Sequence, residues 1–344
     1  MKLLVSALEP SSNLHLKSLL PRLENVAIEG IFDRSLGNPL YGMEDFSVMG
    51  IVDVLGKVLQ GRRAVKEMTD LAGACDKVLL IDAPAFNLPL AKSIKQRYPE
   101  KEIIYYILPK VWAWKKGRAK KVDRYCDRLA AIFPFEDRFY TRAEYVGNPL
   151  LDEISVARRP HEEETIAFLP GSRKGEVTRL MPVFREVAAA LKGRRLLLSV
   201  PSFLSEEKVE AWYGDISGFT VVRDAQETVA QAHFAFVCSG TATLETALIG
   251  TPFVLVYKAR GLDWTIGNAL VKLPYKGLAN IIMDFAGKEP VHPEIFQEEV
   301  TAENLLKQYE TLDRSRFGEK SEALRKMLKH GSAENVAKLV MNRV

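Results

Sequence analysis

Cysteine is scarce in this chain of 344 residues: Cys75, Cys126 and Cys238 form no C-x-x-C pair, and none has a second cysteine nearby. That usage excludes a disulfide framework and fits reduced, intracellular thiols. Long apolar runs are also missing. Nothing approaches a transmembrane helix, and the apolar start Met1 to Leu8 is broken by Glu9 and Pro10, so it reads as a first β-strand rather than a signal peptide. Histidines number 5 and stand apart, and no Asp-X-Asp pair closes a strand, which leaves metal chemistry without ligands. The absence of G-x-S-x-G argues against a serine hydrolase of the nucleophile-elbow type. That of G-x-G-x-x-G after the first strand argues against a nicotinamide dehydrogenase. No cofactor is expected.

Charge of one sign is not in large excess either. The net charge is +4, but residues 1–150 carry 23 Lys/Arg against 18 Asp/Glu, so the basic surplus belongs to the first half. Much of it lies in Lys110-Val-Trp-Ala-Trp-Lys-Lys-Gly-Arg-Ala-Lys-Lys121, where Trp112 and Trp114 alternate with Lys115, Lys116 and Arg118. A solvated helix face with two core-anchoring tryptophans, an anionic membrane surface and a nucleic-acid groove all fit that pattern. The near-neutral total and the lack of a second basic stripe speak against nucleic acid, although an RNA-binding protein remains the non-catalytic alternative.

What is present is an alternation of apolar β-type runs with amphipathic helical stretches, from Lys2–Ala7 through Lys77–Asp82 to Pro252–Tyr257. Near-continuous apolar strands separated by helices predict parallel sheets covered on both faces: an α/β protein of two Rossmann-like doubly wound domains facing a cleft. The expected domains are 1–154 and 165–344, joined by the polar interval Ser155 to Glu164. The last helices have packing back on the first domain as an alternative. Leu14 to Leu23 and Gly50 to Met68 read as amphipathic helices, the latter with Ile51, Val54, Leu55, Val58 and Leu59 at helical spacing among cations.

Three strand ends carry chemistry. Cys238-Ser239-Gly240-Thr241 joins an apolar run to a helix start, where unpaired N–H groups and positive partial charge attract an anion, and Glu245 lies one turn further on, suited to ribose hydroxyls. Pro170-Gly-Ser172-Arg173 forms a second strand-turn-helix that offers Arg173 as a charge-assisted phosphate contact. Two such turns in one half of the chain suggest a nucleoside diphosphate. In the other half, Asp82 ends an apolar strand before a helix expected to begin near Asn87 with Pro89 in its first turn. Its carboxylate is a structural hydrogen-bonder or a general base.

On these residues the chain resembles the lipid-A-disaccharide synthases, glycosyltransferases of the two-Rossmann-domain (GT-B) type. The likeness spans nearly the whole length. It rests on Met49-Gly-Ile-Val-Asp-Val-Leu-Gly56, Ile81-Asp-Ala-Pro84 with Phe86-Asn87, Val111-Trp-Ala-Trp114, Leu169-Pro-Gly-Ser-Arg173, Ser239-Gly-Thr-Ala-Thr-Leu-Glu245 and Leu278-Ala-Asn-Ile281. The resemblance implies an inverting transfer from UDP-2,3-diacylglucosamine to 2,3-diacylglucosamine 1-phosphate, giving a β-1,6-linked disaccharide phosphate and UDP. It assigns Asp82 as base, Arg173 as phosphate ligand, and Ser172, Ser239, Gly240, Thr241, Glu245 and Asn280 to UDP. Glu9, Ser11 and Asn87 fall to the acceptor side. Trp112, Trp114, Lys115, Lys116 and Arg118 are expected at the membrane, on a cytoplasmic protein bound peripherally to an anionic inner-membrane surface, with a homodimer left open.

Two departures stand out. Where the family has Gly-Glu-Ala-Ser-Gly-Asp, this chain has Leu8-Glu-Pro-Ser-Ser-Asn13, and where it has Asp-Ala-Pro-Asp, Ala85 removes the second acid. A lipid-linked N-acetylglucosaminyltransferase of peptidoglycan synthesis and a UDP-sugar 2-epimerase share the expected fold and stand as alternatives.

Overall fold

The computed structural model describes residues 1–47, 54–161, 163–259 and 273–342, with side chains from 59 onward in the helix Val54–Ala72. Ile51 and the side chains of Val54, Leu55 and Val58 therefore lie outside the described residues, as does most of the Met49–Gly56 motif.

The chain divides into two compact units, Met1–Asp152 with Leu328–Val344, and Glu153–Met327. The first holds a seven-stranded sheet of β1 (Lys2–Ser6), β2 (Ala27–Phe32), β3 (Tyr41–Gly42), β4 (Lys77–Ile81), β5 (Glu102–Tyr106), β6 (Arg128–Ala131) and β7 (Ala143–Tyr145). Their order is β3-β2-β1-β4-β5-β6-β7, and every pairing is parallel. The second holds β8 (Thr165–Leu169), β9 (Arg195–Ser199), β10 (Thr220–Val222), β11 (Phe234–Cys238), β12 (Phe253–Tyr257) and β13 (Glu294–Phe296). These run in the order β10-β9-β8-β11-β12-β13, again all parallel.

The apolar strands predict this burial. β4, β8 and β11 are buried at every residue because helices cover both faces of each sheet. In the first unit the alternation of side chains divides the core in two. Val78, Leu80, Ile103 and Tyr105 pack with Met68, Leu90, Ile94 and Val122. Leu79, Ile81, Ile104 and Tyr106 pack with Leu16, Leu19, Val336 and Val340 on the opposite face. Gly30 permits the tight approach of β2 to β1, since at its φ of +123° a Cβ would stand 2.2 Å from the Val5 carbonyl oxygen.

Several boundaries differ from the sequence reading. The first helix is Pro10–Leu19 rather than Leu14–Leu23, with Pro10 in its opening turn, where a missing N–H costs nothing. The helix after β4 starts at Pro84, which places Asn87 and Pro89 inside it. The short strands Tyr41–Gly42 and Glu294–Phe296 have too few residues to show alternation. Gly318 lies within the helix Arg314–Met327, and Gly331 precedes Ser332–Met341. Within the interval read as a linker, Arg159 and His161 donate backbone N–H bonds to the Ala230 and Gln231 carbonyls at 2.8 and 3.1 Å, which ties it to the second unit.

Candidate active site

The candidate residues fall into one group in each unit. In the first unit, Asp82 and Ala83 both take left-handed conformations, with φ of +49° and +42°, in the sharp turn between β4 and Pro84. Such a conformation costs an L-residue about 1–2 kcal/mol, so the neighbours must over-determine it. They do. The Asp82 N–H donates to the Tyr106 carbonyl at 3.0 Å, and the Asp82 carbonyl accepts Tyr105 Oη at 2.7 Å and Asn87 Nδ2 at 2.8 Å. Ile107, just past the neighbouring β5, is also left-handed at φ +60°, a true outlier for a β-branched residue. Strain thus gathers at the carboxyl ends of two adjacent strands, where α/β folds bind ligands.

The Asp82 carboxyl is half-buried, and burial raises its pKa above the ordinary value against the opposing pull of Lys110, the Ala83 N–H and His15. A partly desolvated carboxylate of this kind can accept a proton from a hydroxyl at neutral pH. Asn87 is fully buried: it accepts Ser6 Oγ at 2.6 Å, and its amide reaches the Ile81 and Asp82 carbonyls. It positions the Asp82 turn and has no surface for an acceptor. Glu9 and Ser11 are exposed at the start of the first helix. Their neighbour Asn13, which the sequence reading passed over, binds the Ala7 and Glu9 carbonyls and accepts the Asp33 N–H, so it ties the ends of β1 and β2 together.

The segment after β5 corrects one expectation. Trp112 is only 5% exposed, in edge contact with Phe133 and Phe135, with its indole N–H 3.4 Å from Glu136 Oε1. It is a core residue and has no face to offer a membrane. Trp114 is exposed, with the Lys115 ammonium and Arg118 guanidinium 4.3 and 5.2 Å from its ring. Lys116, Lys120 and Lys121 are exposed beside it. Glu136 was also missed. Fully buried, it accepts the Ile132 and Phe133 N–H groups at 3.1 Å, and burial lifts its pKa to about 7. A lone acid after an aromatic run carries no sequence signal separating it from a surface turn.

In the second unit, Gly171 follows β8 at φ +99°. A Cβ there would lie 2.6 Å from Glu176 Oε2 and 3.2 Å from Cys238 Sγ, so the loop after β8 meets the end of β11 at this glycine. Ser172 and Arg173 are exposed, and Arg173 opens the helix Lys174–Ala190. Glu176 accepts the Arg173 N–H at 3.3 Å and pairs with its guanidinium at 3.1 Å, while most of the Arg173 side chain stays in solvent. Ser239 is half-buried, and Gly240 and Thr241 are exposed at the start of the helix Thr241–Ile249. Around Gly240 a Cβ would meet nothing within 4 Å, so no protein atom demands a glycine there.

Glu245 lines a cavity of about 460 Å³ with Ser199, Ser202, Phe203, Arg223 and Asp224. Burial, aided by Glu153 and Asp224, raises its pKa to about 7. Three acids at one site disfavour phosphate and favour hydroxyl donors. Asn280 is fully buried and its amide is spent: Nδ2 donates to the His292 carbonyl and Glu294 Oε1, and Oδ1 accepts the Val291 and His292 N–H groups. It holds the Lys276–Gly277 turn through Glu294, whose carboxylate accepts both of those N–H groups, and reaches a ligand only by way of that turn.

Among the described residues no helix is long and apolar enough to cross a membrane, and no group of three His, Cys, Asp or Glu could hold a metal ion. A family model described as lipid-A-disaccharide synthetase matches residues 3–340. Lipid-A-disaccharide synthase of Helicobacter pylori strain G27 is 48% identical over 349 residues, covering 97% of this chain and 96% of that protein. The Campylobacter jejuni RM1221 enzyme of the same name is 45% identical over 360 residues, covering 98% of each. Solved structures with a similar fold include Arabidopsis thaliana UGT89C1 complexed with UDP, at TM-score 0.59 and 11% identity, covering 99% of each chain. Another is UDP-GlcNAc 2-epimerase from Neisseria meningitidis bound to UDP-GlcNAc, at TM-score 0.53 and 11% identity, covering 100% of this chain and 99% of that one.

Proposed function

The chain belongs to the lipid-A-disaccharide synthase family, and from that premise we propose how its residues divide the work of the transfer. The protein is a GT-B-type glycosyltransferase that forms the lipid A disaccharide. Of the alternatives, UDP-GlcNAc 2-epimerase is similar to this chain in fold alone. In our reading, UDP-2,3-diacylglucosamine gives its sugar to 2,3-diacylglucosamine 1-phosphate with inversion, in one in-line displacement. The C–O bond to UDP breaks as the acceptor oxygen bonds to the anomeric carbon, and the acceptor proton passes to a base.

Asp82 is that base. The observation that carries this role is a half-buried carboxyl with raised pKa on an over-determined left-handed turn at a strand's carboxyl end. Arg173 and the N–H groups opening Thr241–Ile249 take the diphosphate, where negative charge grows as UDP departs. Ser172, Ser239 and Thr241 add hydroxyls, and the open space at Gly240 supports close approach of an anion to the main chain. Glu245 receives the ribose hydroxyls, since its acidic surroundings suit hydroxyls and repel phosphate. The first unit serves the acceptor through Glu9, Ser11 and Asp82. It rests on the anionic cytoplasmic face of the inner membrane through Trp114, Lys115, Lys116 and Arg118.

The test separates base from clamp. Asp82→Asn should lower turnover by roughly 10²–10⁴-fold with UDP affinity little changed, whereas Arg173→Ala should weaken UDP binding and turnover together. Products are identified by mass spectrometry and UDP affinity by calorimetry. An Asp82→Asn protein with near-normal turnover removes Asp82 from the chemistry.

A further inference from the structure

Lys110, Lys120 and Lys121 of the basic segment have no part in these roles, and the first of them stands apart by its place in the sheet. Lys110 sits four residues past the end of β5 on backbone that is held at several points: the Pro109 carbonyl accepts the Tyr140 hydroxyl, and the Lys110 carbonyl accepts the Ala113 and Trp114 N–H groups at 3.0 and 3.2 Å. Val111 and Trp112, which follow it, are 1% and 5% exposed, and the Trp112 indole N–H donates to the buried Glu136 at 3.4 Å. On this fixed platform the Lys110 side chain is exposed. Among the described residues its ammonium has no carboxylate within ion-pair distance.

Its position is set by the sheet. β5 is the neighbour of β4, with Ile81 opposite Tyr106, and the Asp82 N–H donates to the Tyr106 carbonyl. The two strands therefore deliver Asp82 and Lys110 to the same edge, and the Lys110 charge holds the carboxyls of Asp82 and Glu136 lower than burial alone would. Lys115 and Arg118, by contrast, lie on the Trp114 ring.

An acceptor that carries a phosphate sets an electrostatic conflict at this edge. Its anion and an ionised Asp82 repel one another, and the repulsion weakens acceptor binding. An exposed cation at the same edge as the base, with no described carboxylate within ion-pair distance, resolves that conflict. We propose that Lys110 binds the phosphate of the acceptor sugar while Asp82 takes the proton of its attacking hydroxyl. The proposal rests on the acceptor and the base named above, and it makes Lys110 a specificity residue for phosphorylated over unphosphorylated acceptors.

The experiment compares the full-length protein with Lys110→Met and Lys110→Arg, using 2,3-diacylglucosamine 1-phosphate and the same sugar without its phosphate. Loss of a charge-assisted contact should raise KM for the phosphorylated acceptor about tenfold or more in Lys110→Met, with kcat within a few-fold and the donor KM unchanged. On the unphosphorylated acceptor, wild type and Lys110→Met should coincide, and Lys110→Arg should recover most of the phosphate preference. Equal loss on both acceptors, no loss on either, or a wild type indifferent to the phosphate would each overturn the proposal. A thermal melt matching wild type assigns the change to the site, and Lys110→Gln repeats the test if the methionine variant melts early. Asp82→Asn in the same assay keeps the two ideas apart. If it turns over normally, the base reading fails while a phosphate-specific KM effect still upholds Lys110. If it is inactive and Lys110→Met is normal, the base stands and Lys110 falls.

Discussion

Replacing Glu136 by glutamine should remove a pH dependence of stability that this one side chain imposes. The carboxyl is fully buried, and its pKa rises from 4.5 to about 7, with burial as the largest cause and the Phe133, Trp112 and Ile132 donors opposing it. A shift of that size favours the protonated acid in the folded chain by on the order of 3 kcal/mol. Between pH 4.5 and 7 the folded protein holds a proton that the unfolded chain has released. Stability therefore falls as pH rises through this window, and the full cost is present above pH 7. Glutamine is uncharged at every pH: its oxygen still accepts the Ile132 and Phe133 N–H groups, while its NH2 replaces the acceptor 3.4 Å from the Trp112 indole, a loss that is the same at every pH. From pH 5 to pH 8 Glu136→Gln should gain on wild type by up to about 3 kcal/mol, above a constant offset for the indole contact, read from urea unfolding midpoints across that range. Titrations common to both proteins cancel in the difference. A difference that stays flat from pH 5 to 8 would show Glu136 ionised throughout, with its three N–H donors outweighing burial, and would refute the reasoning.

Gly171→Ala adds a methyl group 2.6 Å from Glu176 Oε2 at a φ of +99°, displacing the acid that pairs with Arg173. It should cost roughly 1–3 kcal/mol of stability and weaken UDP binding, as calorimetry and a melt together would register. Binding of the first unit to anionic vesicles should weaken as salt rises, since charges are screened over about 10 Å at 0.1 M, and weaken further in Lys115→Glu with Lys116→Glu. Cosedimentation of that double variant at wild-type levels would rule out the electrostatic contact.

The sequence alone determined the architecture, because the property that makes a parallel sheet is written residue by residue. Ile166–Leu169 and Val78–Ile81 are apolar throughout since helices cover both their faces, and a polar side chain there would lose its water. The strand-turn-helix junctions before Arg173 and Thr241 were equally legible, because an apolar run, a turn of glycine and small hydroxyl residues and a helical pattern are local features. Tertiary structure decided what those local rules leave open. Trp112 and Trp114, two residues apart among the same lysines, part company only when Phe133 and Phe135 come from another strand's end to cover the first of them. Asn87 and Asn280 have the polarity of ligand-binding residues, but chain segments up to 81 residues distant use up their amides. Lys110 and Asp82, 28 positions apart, share one edge only because β4 and β5 pair. Burial and partnership are relations between segments, whereas periodicity and turn chemistry belong to a segment by itself.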